Sequence, residues 1–314
     1  MSESGDFTPA SWAPAPSFSS ARAAYDSHAG RSYSDAVAKG KSRHAVLESK
    51  LDTDSASPLV IVSDVTGSMG DAPAIMFEKL PYLSNECKEY LGKEAQICFA
   101  AVGDANGDTY PLQVRKFTKE SGLVKTLKEL VIEGGGGGTK QESYELAATY
   151  FAHNVDMPKA IHPVLIFIGD ESPYDTVSKA QAKDVAGVTL EKDVSTRNMF
   201  DSLQRKFSVY FIQRPYSQQG GETMSGDTRQ IRTNWEKYIP SDRIVYLPDP
   251  RRVVDVIFGL LANETGKKDY FEGELKSRQN ANQIKEVLTS LRGTRMMRSE
   301  TVPKLTGASI TRKK

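Results

Sequence analysis

From residue 58 onward, six short apolar runs alternate with amphipathic stretches, and that alternation limits the fold more than any other feature of the chain. The runs lie at 59–63, 95–102 (AQICFAAV), 111–117 (PLQVRKF), 163–168 (PVLIFI), 207–213 (FSVYFIQ) and 243–247 (RIVYL). Continuous apolar runs bounded by turn residues predict strands covered on both faces, as in a parallel sheet. The stretches between and after them predict helices near 72–91, 119–131, 141–153, 196–206, 228–238 and 250–263. The expected fold class is therefore α/β: a Rossmann-like, doubly wound sheet of six strands with helices on both faces. Only "GDANGDTY" joins the second run to the third, too short for a crossover helix. Those two strands are expected to pair antiparallel, leaving one reversed edge strand on a mostly parallel sheet.

With 314 residues, 39% of them hydrophobic, the chain is long enough for one full core plus appendages. Residues 1–56 are rich in Ser, Ala and Pro and read as an N-terminal arm, a mostly mobile leader or, functionally, an element that docks a partner or neighbouring subunit. Trp12, Phe18, Tyr25 and Tyr33 are its candidate anchors. Residues 57–263 hold the α/β domain, and 264–314 read as a charged, solvent-facing helical extension ending in a basic tail that includes Arg295, Arg298, Lys304, Arg312, Lys313 and Lys314. The formal net charge of +1 gives no general electrostatic case for nucleic acid or a membrane surface. No apolar leader or long apolar span is apparent, and Cys87 and Cys98 fall in core segments, so a cytoplasmic protein with reduced thiols is expected.

The first run, in "PLVIVSDVTGSMGD" (58–71), passes from buried strand to polar loop. Asp64, Thr66 and Ser68 are spaced two apart, and in extended chain such residues point the same way. They stand at a strand's carboxyl edge, where open α/β sheets keep ligands. "VLIFIGDESPYD" likewise ends a buried strand in Asp170, and "EGGGGGTKQES" sets Thr139 behind the glycines Gly134 to Gly138. A carboxylate with hydroxyls suits Mg²⁺, Mn²⁺ or Ca²⁺ over softer metals.

Each feature also has a plainer reading. Asp64, Thr66 and Ser68 could cap the next helix, Thr139 and Glu142 could form a capping box, and Asp170 could open a turn with Pro173. Asp104 and Asp108 could be an acidic rim with Glu171 and Asp175 or simply a hairpin turn. The glycine run is not a Walker A loop, because a helix precedes it and Lys follows Thr. The four histidines are scattered and give no triad or zinc spacing.

Taken together, these segments resemble a von Willebrand factor type A domain carrying a metal-ion-dependent adhesion site. Asp64, Thr66, Ser68, Thr139 and Asp170 match that family's Asp-x-Ser-x-Ser, Thr and Asp, with Thr66 replacing the first Ser. The resemblance implies a Mg²⁺ (or Mn²⁺/Ca²⁺) site with one open position filled by an Asp or Glu of a protein partner, and a binding function rather than an enzyme. It also implies a possible partnership with an AAA+ ATPase of the MoxR type; a self-assembling subunit that uses the N-terminal arm is the alternative. "DVTGSM" and "AAVGDANGD" resemble motifs of haloacid-dehalogenase-type phosphotransferases, with Asp64 as nucleophile. Only about forty residues separate the two, leaving no room for the motifs that class places between them.

Overall fold

The computed structural model describes residues 18–39, 47–136, 138–216, 225–247 and 249–294. Trp12, Gly137, the polar stretch 217–224 and the basic tail fall outside them. Six strands form the main sheet: β1 (Leu59–Asp64), β2 (Ile97–Val102), β3 (Leu112–Val114), β4 (Val164–Gly169), β5 (Ser208–Gln213) and β6 (Ile244–Tyr246). Their spatial order is β6-β5-β4-β1-β2-β3, all parallel except β3, which pairs antiparallel with β2. The expected α/β class, six strands and reversed edge strand are all present.

Successive side chains of the central strands enter opposite cores, which is why these strands read as unbroken apolar runs. In β1, Leu59 and Ile61 pack into one core while Val60 and Val62 pack into the other. In β4, Val164, Ile166 and Ile168 separate from Leu165 and Phe167 in the same manner. The first core is covered by α1 (Phe18–His28), α3 (Ala72–Lys79), α4 (Leu83–Leu91), α5 (Leu123–Lys128) and α10 (Val253–Thr265). The second lies under α6 (Tyr144–His153), α7 (Lys179–Val185), α8 (Thr196–Gln204) and α9 (Gly226–Trp235). At its centre the Trp235 ring stacks on Phe211 at 3.9 Å and meets Tyr144 edge-on.

Several expectations need adjustment. The helix anticipated over 72–91 is two, α3 and α4, joined by a 3₁₀ turn at Leu80–Tyr82 that contains Pro81, which cannot supply an amide to a continuous helix. α6 starts at Tyr144 and not near Gln141, because Gln141–Glu142 pair parallel with Ser172–Pro173.

In the arm, residues 18–39 form α1 and α2 (Tyr33–Lys39) and pack on the domain. The Tyr25 hydroxyl donates to the carbonyls of Leu127 (2.5 Å) and Leu130 (2.9 Å), and Leu51–Asp52 pair with Val155–Asp156. The extension is likewise not merely solvent-facing. α11 (Lys268–Arg278) and α12 (Ala281–Ser290) bury Phe271, Leu275 and Val287 against the first core. Both cysteines are buried and free. Among the described residues no helix is long and apolar enough to cross a membrane.

Candidate metal centre at the carboxyl edge of the sheet

Asp64 is the last residue of β1, paired with Val102 of β2, and Asp170 follows the last residue of β4, the next strand over. Sheet register alone therefore sets two acids side by side at one edge. Gly169 makes the approach possible: a Cβ there would lie 1.8 Å from the Tyr144 hydroxyl oxygen and 3.1 Å from Asp64 Cβ. Past Asp64 the chain stays extended through Thr66 (φ −83°, ψ 172°) and turns into a 3₁₀ helix at Gly67–Met69.

This geometry draws four of the five expected residues together. Asp64 Oδ1 accepts from the Thr66 amide at 2.8 Å and the Thr66 hydroxyl at 2.6 Å, and Tyr144 donates to Asp64 Oδ2 at 2.5 Å. Ser68 Oγ donates to Asp170 Oδ1 at 2.8 Å, and Thr66 Oγ1 stands 3.2 Å from Ser68 Oγ. With both acids ionised, each hydroxyl gives its single proton to a carboxylate, and the two oxygens then face each other with lone pairs. The Thr66 side chain makes no capping hydrogen bond to the following 3₁₀ turn, so the helix-cap reading does not describe it.

Thr139 is not brought into this group. It is exposed, and its hydroxyl lies 3.4 Å from the Gln141 carbonyl oxygen and 3.3 Å from the Tyr174 hydroxyl. Nor is it a helix cap, since Ser143 holds that position ahead of α6. The glycine run nevertheless passes beside the first loop, as Gly67 N donates to Gly135 O (2.8 Å) and Gly134 N to Val65 O (3.0 Å). Asp104 and Asp108 close the β2–β3 turn: Asp108 Oδ2 accepts from the Asp104 amide at 2.7 Å, and Asp104 Oδ1 from the Asn106 amide at 3.0 Å.

Reasoning from sequence gave Glu142 only a capping role, offered Glu171 only as part of an acidic rim, and missed Arg214. Glu142 is 1% exposed and Glu171 5%, and both sit against the Asp64 end of the site. Arg214, just past β5, donates to the Ser68 carbonyl oxygen at 3.3 Å and lies 3.8 Å from Asp170 Oδ2. A signal for Arg214 existed, because its strand's carboxyl end was already assigned to this edge. Glu142 carried only a local capping signal.

Crowding governs the electrostatics. Burial, opposed by hydrogen bonds from Thr66 and Tyr144, pushes the Asp64 carboxyl up to about 6. Burial and then the charge of Asp64 raise Asp170 and Glu142 well above the carboxylate range. Such a pocket favours protons or an added cation. Every donor is oxygen, Asp170 Oδ2 has no hydrogen-bond partner, and two hydroxyl oxygens face one another; a hard divalent ion fits that set. Among the described residues no three His, Cys, Asp or Glu side chains already converge as a cage, so any shell must mix hydroxyls with carboxylates.

The fold and this edge define an α/β protein with an acidic, hydroxyl-rich pocket at its strands' carboxyl ends. No family model matches the chain, and no curated protein does. Among solved structures it is similar to the pilus adhesin SpaC from Lactobacillus rhamnosus GG, at 11% identity and a TM-score of 0.47 over 71% of this chain and 32% of that one. It is also similar to proximal thread matrix protein 1 from the mussel byssus, at 11% identity and a TM-score of 0.44 over 68% of this chain and 49% of that one. The chain spans about a third of the adhesin and half of the matrix protein.

Proposed function

We propose that this chain is a metal-dependent protein-binding module of the von Willebrand factor type A kind, acting in the cytoplasm by capture of a partner rather than by catalysis. The observation that carries this reading is the 2.8 Å hydrogen bond from Ser68 Oγ to Asp170 Oδ1, which joins the motif after β1 to the acid after β4. Asp64, Thr66, Ser68 and Asp170 would hold Mg²⁺, Mn²⁺ or Ca²⁺. Such an ion, held by protein on one side, offers an open position to an aspartate or glutamate of the partner.

The residues around it prepare that exchange. Thr66 and Tyr144 orient Asp64, while Ser68 and Arg214 hold Asp170 from opposite sides. Residues 174–195 follow β4, whose carboxyl end carries Asp170, and would take part in reading the partner's surface. An AAA+ ATPase of the MoxR type is one class of partner such a face would serve.

Pull-down with the full chain from lysate in Mg²⁺, and again in EDTA, tests the proposal when repeated with Asp64→Asn. Capture of a partner should require Mg²⁺ and be lost in the variant. Equal capture in EDTA and by Asp64→Asn would refute it.

A further inference from the structure

Glu142 is a buried acid that no helix cap or ion pair accounts for. Its Oε2 atom is enclosed and without a hydrogen-bond partner, and the charges that act on it most strongly are those of Asp64 and Glu171. The residue is held firmly all the same: Gln141–Glu142 pair with Ser172–Pro173, and Ser172 N donates to Lys140 O at 3.1 Å. This short ladder ties Glu142 to the segment that carries Asp170. A methyl group added at Gly136 would meet Glu142 Oε1 at 3.1 Å and Thr66 Cβ at 3.8 Å, so the carboxyl and Thr66 flank one small gap. Thr139 lies on the far side of a turn at Lys140 (φ 60°), exposed and bonded to Tyr174.

Two acids facing each other under cover, with a third beside them, need either a shared proton or a cation. Arg214 is directed at Asp170 and Ser68, and Lys140 pairs with Asp227 at 2.8 Å, so neither base serves Glu142. We infer that Glu142, and not Thr139, supplies the remaining side-chain oxygen to the cation held by Asp64, Thr66, Ser68 and Asp170. The inference rests on the metal reading above and names a ligand for it. With Glu142 the protein side of the site holds three carboxylates and two hydroxyls, a donor set of higher charge than two acids and three hydroxyls. It therefore binds cations more tightly and is less dependent on the partner's acid to balance the ion's charge.

Calorimetric titration of the purified full chain with Mn²⁺ alone separates the possibilities, using wild type, Asp64→Asn, Glu142→Gln and Thr139→Ala. Glu142→Gln keeps the shape and puts a neutral amide where the ion-free protein holds a neutral acid, so it should melt no lower than wild type. We expect it to weaken Mn²⁺ binding tenfold or more, with Thr139→Ala within twofold. A tenfold loss in Thr139→Ala, alone or together with Glu142→Gln, would overturn the replacement of one by the other. Unchanged affinity in Glu142→Gln would mean that a shared proton, not the ion, occupies the Glu142–Glu171 contact. Failure of the metal reading itself looks different: wild type would take up no Mn²⁺, or Asp64→Asn would bind as well as wild type.

Discussion

Buried acids at this edge differ in what they respond to, and Glu145 isolates the effect of burial from that of the proposed ion. It sits in the first turn of α6, fully covered, with the Tyr174 amide donating to Oε2 at 3.2 Å. Burial pushes its carboxyl up to about 8 from the ordinary 4.5. Between those values the folded protein holds a proton that the unfolded chain has released. Its contribution to stability is therefore complete below about 4.5 and falls as pH rises toward about 8. Glu145→Gln removes that slope while keeping an acceptor for the Tyr174 amide. In urea unfolding, the variant should match wild type near pH 5 and exceed it near pH 8 by a few kcal/mol, roughly the worth of a shift of this size. A difference that does not change with pH would contradict the assignment.

Among the elements, α1 has the least expected role. Phe18 packs against Gly134, where a Cβ would fall 2.0 Å from the ring, and φ at Gly134 is +72°, which also favours glycine. Arg22 donates to the Glu133 carbonyl at 3.0 Å, and Arg31 to the carbonyls of Lys128 (2.7 Å) and Leu130 (2.5 Å). The helix and the turn that follows it thus satisfy carbonyls left open where α5 ends, and Phe18 leans on the loop that runs beside Val65 and Gly67. Tyr25→Phe, which removes the one proton shared between two carbonyls without leaving a cavity, should lower stability by about 1–2 kcal/mol. Thermal melts of this variant check it, and an unchanged midpoint would mean that α1 rests on the domain without supporting it. Phe18 and Tyr25 were legible as anchors of residues 1–56, but the arginine contacts were not, because guanidinium groups on backbone carbonyls leave no mark on hydrophobic periodicity.

At the scale of the whole molecule, what was legible in the sequence is what local pattern encodes. Runs such as Leu59–Val62 and Val164–Ile168 mark central strands, and the short link before Tyr110 marks the reversed edge. Asp64 and Asp170 were legible as neighbours because adjacent parallel strands must end at one edge. Hidden were features made by distant pairing. Glu142 follows Thr139 closely enough to suggest a helix cap, yet its pairing with Ser172–Pro173 delays the helix and turns the acid inward. Phe271 and Leu275 are one helical turn apart but stand among Lys, Glu and Arg, so the stripe they form against α10 is narrow.

The central claim is that one divalent cation joins the loop after β1 to the acid after β4. Anomalous diffraction from crystals grown in millimolar Mn²⁺ tests it most directly. The account predicts a peak in contact with the Thr66 and Ser68 hydroxyl oxygens, absent in Asp64→Asn; a well-ordered edge with no peak there would contradict it.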